Sequence, residues 1–195
     1  MPFEEFLIQA IGFIAIAFNL VAVQFNSHFK IVFLKTVGSF LFGVQYIFLG
    51  AYTGVVMEVV GWIRNFTFMH LVKKNKSTKL WIFLFSVLTV ILGTITIILT
   101  WSGTAKIKWT NDANLAMILM VAISILSIIA KVLSTVAYGI NDAHKIRMLN
   151  LPTSGCWIVY NFVAFSLAGI LNEAMTIGSI IIAELRFRKK KEIKH

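Results

Sequence analysis

One cysteine, two prolines and eight acidic residues stand in a chain of 195 amino acids, of which only 13% are charged. Each scarcity excludes something. The lone Cys156 rules out an internal disulfide and a thiolate metal cluster, and is read as a small packing residue. Only Pro152 falls inside a hydrophobic stretch, so a proline kink is expected nowhere else. No Gly-x-Ser-x-Gly elbow, Walker loop, nucleotide-binding glycine pattern or His-Glu-x-x-His occurs. His28, His70, His144 and His195 are scattered and are expected to be solvated near cytoplasmic helix ends. The chain is accordingly read as neither an enzyme nor a metal or cofactor protein. What it has in excess is apolar surface, with 58% hydrophobic residues and a mean hydropathy of +0.85. Its solvent is expected to be lipid.

A spanning helix needs ~20 mostly apolar residues, and the hydrophobic pattern places spans at about 5–26, 30–49, 52–72, 80–101, 114–140, 147–165 and 167–187. The opening Met1-Pro2-Phe3-Glu4-Glu5 lacks a basic leader, so the first stretch is expected to be a retained helix. Asn26-Ser27-His28 ends the first span, Gly50 to Gly54 forms a turn, Lys73 to Ser77 cannot stay in hydrocarbon, and Ser102 to Ala113 is a polar loop.

Counting Lys and Arg on alternate sides sets the orientation. Fourteen of the 18 fall on one side, only Lys106 and Lys108 on the other, and Arg64 and Lys131 inside spans. The N-terminus is therefore expected outside and the C-terminus in the cytoplasm. The net charge of +10 is mostly a cytoplasmic fringe and gives no indication of nucleic acid. The bilayer is the partner it fits, and the basic tail can touch anionic lipid.

Sliding the sequence on itself by 115 residues aligns its halves without a gap. Asn26 falls on Asn141, Lys30 on Lys145, Ser39 on Ser154, Gly54 on Gly169 and Glu58 on Glu173, with Ile31 on Ile146 and Leu34 on Leu149. Matched charges and turn residues are rare coincidences in so apolar a chain. The expected organisation is a first three-helix repeat (1–74), a linker helix with loops (75–113) and a second three-helix repeat with a basic tail (114–195). Parity demands the linker: three spans reverse the chain's side, so one more is needed before the second unit can enter in the same orientation. From Trp81 to Trp101 that linker holds no ionisable residue, as suits a lipid-facing helix. The fold class expected is an all-α integral membrane protein of seven transmembrane helices, two parallel three-helix repeats joined by a linker.

Ionisable groups inside spans cost roughly 2.5 to 3.5 kcal/mol each at a helix centre and usually face a cavity or a partner. Glu58, Glu173, Arg64 and Lys131 qualify. The repeat puts the two glutamates at one depth, where they can face each other across a pathway and share a proton. Alternatively each pairs with a base, such as Glu173 with Lys131, which serves structure or substrate contact. Glu58 and Arg64 are six residues apart on one helix, too far round it to pair directly.

A second constellation lies at repeat positions: Phe42 with Trp157, Gln45 with Tyr160, Tyr46 with Asn161, and Met57 with Asn172. Aromatic walls with a few amides suit a small polar molecule that has a flat apolar face. The candidate substrate-binding set is Phe42, Gln45, Tyr46, Glu58, Asn65, Trp157, Tyr160, Asn161, Asn172 and Glu173, with Arg64 and Lys131 as intramembrane charges. Trp81, Trp101, Trp109 and Tyr52 are read instead as interfacial aromatics.

The three-plus-one-plus-three pattern with an outside N-terminus resembles the SWEET/PQ-loop superfamily, which includes PnuC-type vitamin-precursor carriers. Leu49-Gly50-Ala51-Tyr52-Thr53-Gly54, followed by Gly61-Trp62-Ile63-Arg64-Asn65, resembles the bacterial inner-membrane YgjV family over most of the chain. Where the superfamily has Pro-Gln late in each unit's first helix, this chain has Val23-Gln24 and Tyr138-Gly139. The resemblance implies a pocket aromatic working with a polar residue on the next helix: Phe42 with Glu58, and Trp157 with Glu173. It implies a carrier or facilitator of a small polar solute such as a sugar, nucleoside or vitamin precursor, in the bacterial cytoplasmic membrane. The competing class is a membrane regulatory or assembly protein without a transport cycle. A homo-oligomer is compatible with both.

Overall fold

The computed structural model describes residues 3–48, 52–101, 112–163 and 167–192. Among these, the chain is all-helical: α1 (Phe3–Val23), α2 (His28–Phe48), α3 (Tyr52–Lys73), α4 (Lys79–Trp101), α5 (Ala113–Gly139), α6 (Ala143–Val163) and α7 (Leu167–Glu192). Val55–Lys73, Lys79–Ile98 and Asn114–Gly139 are long and apolar enough to cross a membrane. Pro152 lies within α6.

Local chemistry explains the ends. The last turn of α3 closes with Asn75 in the left-handed region, φ 52°, while the Lys76 amide donates to Leu71 and the Asn75 amide to Val72. This doubled bond satisfies carbonyls that the helix leaves open. Asp142 starts α6 by accepting from the His144 and Lys145 amides at 2.9 and 3.1 Å. α6 therefore begins at Ala143, four residues before the expected 147, and carries Lys145 and Arg147 in its first turns. The basic residues after Leu185 continue α7 as far as Glu192, because Arg and Lys form helices readily and complement the negative end of the helix dipole. Gly50 and the span 102–111, with Trp109, lie outside the described residues, as do the side chains of Tyr52 and Trp101.

Packing runs α1 on α2 and α2 on α3, then α5 on α6 and α6 on α7. α1 also meets α7, α3 meets α5, α2 touches α6, and α4 packs on α5 and α3. Gly38 lets α1 and α2 approach, since a Cβ there would sit 2.7 Å from the Asn19 side chain and 3.0 Å from the Ala15 carbonyl. Polarity is inverted relative to a soluble protein. On α4, Leu80, Phe83, Leu84, Val87, Leu88, Ile91, Ile95 and Ile98 are exposed, while Thr89 is buried beside Phe85. Such a surface is stable only against hydrocarbon. A compact apolar cluster of Ile31, Val32, Phe68, Met69, Phe85, Ala137, Tyr138 and Ile146 joins α2 to α6 near the ends where α1 and α5 stop.

Candidate functional site

Helix α3 carries Glu58, Arg64 and Asn65, and each finds partners on another helix. The Lys131 ammonium on α5 reaches Glu58 Oε1 at 2.6 Å, with both side chains about seven-eighths buried (14% and 13% exposed). Ser39 on α2 donates to Glu58 Oε2. Arg64 donates to Thr135 Oγ1 at 2.9 Å and to the Lys131 carbonyl at 3.4 Å, and lies over the Tyr138 ring at 5.2 Å. Its Nε donates to Asn65 Oδ1, and Asn65 in turn donates to Thr36 Oγ1 at 2.9 Å. Gly61 lies between the two charged side chains of α3: a Cβ there would stand 3.7 Å from Glu58 Oε2 and 3.9 Å from Arg64 Nη2. A charged pair at this depth is tolerable because its lone pairs and protons are answered at once.

The expectation that Lys131 would serve Glu173 is corrected, because the approach of α3 to α5 gives it to Glu58 instead. Among the described residues Arg64 has no carboxylate at ion-pair distance, so hydroxyl and carbonyl oxygens offset its charge. Glu173 on α7 accepts from Asn172 Nδ2 at 2.8 Å and hydrogen-bonds Ser154. Asn19 on α1 donates to Asn172 Oδ1 at 3.4 Å.

Of the proposed pocket aromatics, half-buried Trp157 joins this centre. Its ring lies 5.6 Å from the Lys131 ammonium and meets Tyr160 edge-on at 5.1 Å. Asn161 packs against Gly169 at the start of α7. Buried Gln45 turns instead onto α1, where a Cβ on Gly12 would touch its amide at 2.8 Å, so it lines the α1–α2 seam. Asn65 is buried in the Arg64 network. Phe42 is half-buried, and the side chain of Tyr46 lies outside the described residues. Sequence reasoning overlooked Thr36, Thr135 and Asn19 as partners; Ser39 and Ser154 were flagged only as a repeat match.

A second polar cluster lies where α1 and α5 end. Arg147, 1% exposed, pairs with Glu184 and donates to the Phe25 carbonyl at 3.0 Å. Arg186 donates to the Gln24 carbonyl, and the Gln24 amide donates to Ser179 Oγ at 2.6 Å. His144 meets Glu184 at 2.6 Å. His28 is buried, contrary to expectation, because its Nε2 donates at 2.7 Å to the Tyr138 carbonyl at the end of α5, while Thr78 donates to that of Gly139. Open carbonyls at helix ends need such donors.

Apolar outer faces, three helices able to cross a bilayer and a buried ion pair bonded across α2, α3 and α5 define an all-helical membrane protein. The chain belongs to the Imp-YgjV family of bacterial inner membrane proteins, whose model matches residues 6–191. No curated protein and no solved structure matches it.

Proposed function

We propose that the protein is a secondary carrier or facilitator that moves a small polar solute across the bacterial inner membrane by alternating access. The observation that carries this reading is a duplicated Ser–Glu pair. Ser39 bonds Glu58 between α2 and α3, and Ser154 bonds Glu173 between α6 and α7. Both residues of one pair fall on those of the other under the 115-residue shift. Packing obeys the same exchange: α1–α2 maps onto α5–α6, α2–α3 onto α6–α7 and α1–α7 onto α3–α5, with α2–α6 mapping onto itself. This supports seven spans in two parallel three-helix units related by a pseudo-two-fold axis, with α4 as linker, a SWEET/PQ-loop-like plan. In this reading the protein is not an enzyme. Trp157, Tyr160, Asn161, Asn172 and Glu173 face the solute, and the basic ends lie in the cytoplasm.

The test is counterflow in proteoliposomes with sugars, nucleosides and vitamin precursors. Saturable uptake is expected for one class and is lost in the Glu58→Gln/Glu173→Gln double variant. Normal flux in that variant refutes the assignment. If no solute moves, and cysteines placed along α6 label from one side only, the non-transporting regulatory or assembly reading prevails. Tags at Met1 and His195 should report opposite sides of the membrane; two cytoplasmic termini would remove a span and the repeat plan with it.

A further inference from the structure

Where α1 and α5 stop, each unit reaches across to main-chain carbonyls that the other's first helix leaves open. Arg147 on α6 donates to the Phe25 carbonyl at 3.0 Å, and Arg186 on α7 donates to that of Gln24. In the reverse sense, His28 on α2 donates at 2.7 Å to the Tyr138 carbonyl of α5. Val23-Gln24 falls on Tyr138-Gly139 under the 115-residue shift, so the two sets of bonds stand at matched helix ends. Gln24, just past α1, adds its side chain. Its amide donates to Ser179 Oγ at 2.6 Å and to the Ser179 carbonyl at 2.8 Å, and Ser179 Oγ donates to the Leu20 carbonyl at 3.1 Å. Between α1 and α7 the bonds shorten toward this end, from 3.4 Å at Asn19 and Asn172.

The costs of parting the units differ from place to place. At mid-depth, Lys131 and Glu58 cannot separate without stranding two charges away from water. The end of α5 is backed by Ile31, Val32, Ala137 and Ile146 of the apolar cluster, and drawing it from α2 would expose them. The end of α1 is held more cheaply. Its bonds lie beside exposed Asn26 and Arg186, where water replaces a lost partner with little net change. Arg147 keeps Glu184 within its own unit when it releases the Phe25 carbonyl, so no charge is stranded.

We propose that the end of α1 is a latch. In this structure Gln24, Arg147 and Arg186 hold the pathway shut on the side of the basic tail, which opens when α1 parts from α6 and α7 with the Lys131–Glu58 pair as pivot. The latch rests on the alternating-access reading and adds to it which contacts close one side. Thr176 supplies the readout: it is 1% exposed, lies between Asn172 and Ser179 on the face of α7 that meets α1, and its hydroxyl has no bond to lose. In the full chain with Cys156→Ser and Thr176→Cys, a small membrane-impermeant methanethiosulfonate is applied to sealed membrane vesicles of each orientation, sorted by a tag at His195. Labelling from the tail side should be slow, and should quicken roughly five- to tenfold in Gln24→Ala and in Arg186→Gln, the factor that one hydrogen bond makes in a two-state equilibrium. Labelling from the opposite side should not rise. Asp142→Ala, which loosens α6 at the same end without touching α1, should leave the tail-side rate about the same. The proposal is overturned if either latch variant leaves that rate unchanged, if labelling rises equally from both sides, or if Asp142→Ala quickens it as much. Counterflow is independent of this readout: a one-sided rise in a protein that moves no solute keeps the latch and refutes the carrier, and transport without the rise does the reverse.

Discussion

Replacing Lys131 by Met removes the ammonium that stands 2.6 Å from Glu58 and leaves a carboxylate, 13% exposed, with only Ser39 as partner among the described residues. Two unit charges about 4 Å apart attract by about 4 kcal/mol at an effective dielectric of 20. Breaking a buried pair from one side typically costs ~3–5 kcal/mol. Lys131→Met should therefore destabilise by about 3 kcal/mol, and Glu58→Gln, which strands the ammonium while keeping an acceptor for Ser39, by a similar amount. The double variant removes both charges and should lose about 2 kcal/mol less than the sum of the singles. Loss of the Lys131–Trp157 contact, 5.6 Å in the structure, occurs in both Lys131 variants and so cancels from the cycle. The assay is reversible unfolding in mixed micelles against increasing SDS, followed by circular dichroism. Coupling below about 0.5 kcal/mol would refute the reasoning, because residues that form one unit cannot be additive.

Arg147→Ala should be more damaging than loss of any exposed base. It leaves Glu184 with His144, takes the donor from the Phe25 carbonyl and removes a contact with Phe187, for about 3 kcal/mol by the same unfolding assay. Trp157→Ala and Asn161→Ala should abolish solute binding, read by ligand-dependent thermal shift, while leaving the protein inserted; retained affinity in both would make Trp157 a packing residue. Asp142→Ala should cost about 1 kcal/mol at pH 7 as a lost helix cap. Because the folded-state carboxyl is held below its ordinary value, that contribution is present above about pH 4 and is lost as pH falls through the folded pKa, so wild type and variant should converge in acid.

Seven helices were legible because hydropathy and loop charge are local properties, and all seven lie within a few residues of their expected places. The misses at the ends are local too. Lys145 and Arg147 read as a cytoplasmic flank, yet Asp142 had already started the helix through their segment. Partners were not legible in the same way. Which acid Lys131 meets depends on how α5 is rotated and on α3 lying beside it, and neither is encoded in spacing along one helix. His28 read as solvated because it stands at a helix end expected in the cytoplasm; its acceptor, the Tyr138 carbonyl, lies 110 residues away. Ser39 and Ser154 were visible as a repeat match, but a matched serine acquires a role only once the packing of two helices brings a glutamate against it.

The two glutamates match under the 115-residue shift but have unequal surroundings, and the inequality predicts different roles. Under the 115-residue shift Lys131 falls on Ile16, so α5 offers an ammonium to Glu58 where α1 has an apolar side chain at the matching position. α1 presents Asn19 instead, which reaches Asn172 and through it Glu173. Among the described residues Glu173 has no cation at ion-pair distance, whereas Glu58 is held directly by Lys131. A carboxylate locked in an ion pair must break it to bind a solute; one hydrogen-bonded to an amide and a hydroxyl can exchange neutral partners at lower cost. Glu173→Gln should therefore raise the Kd for solute at least tenfold with little loss of stability. Glu58→Gln should lower the unfolding midpoint while changing Kd less than threefold. Equal effects of the two substitutions on both readouts would show that the pseudo-symmetry governs the site and that the ion pair does not.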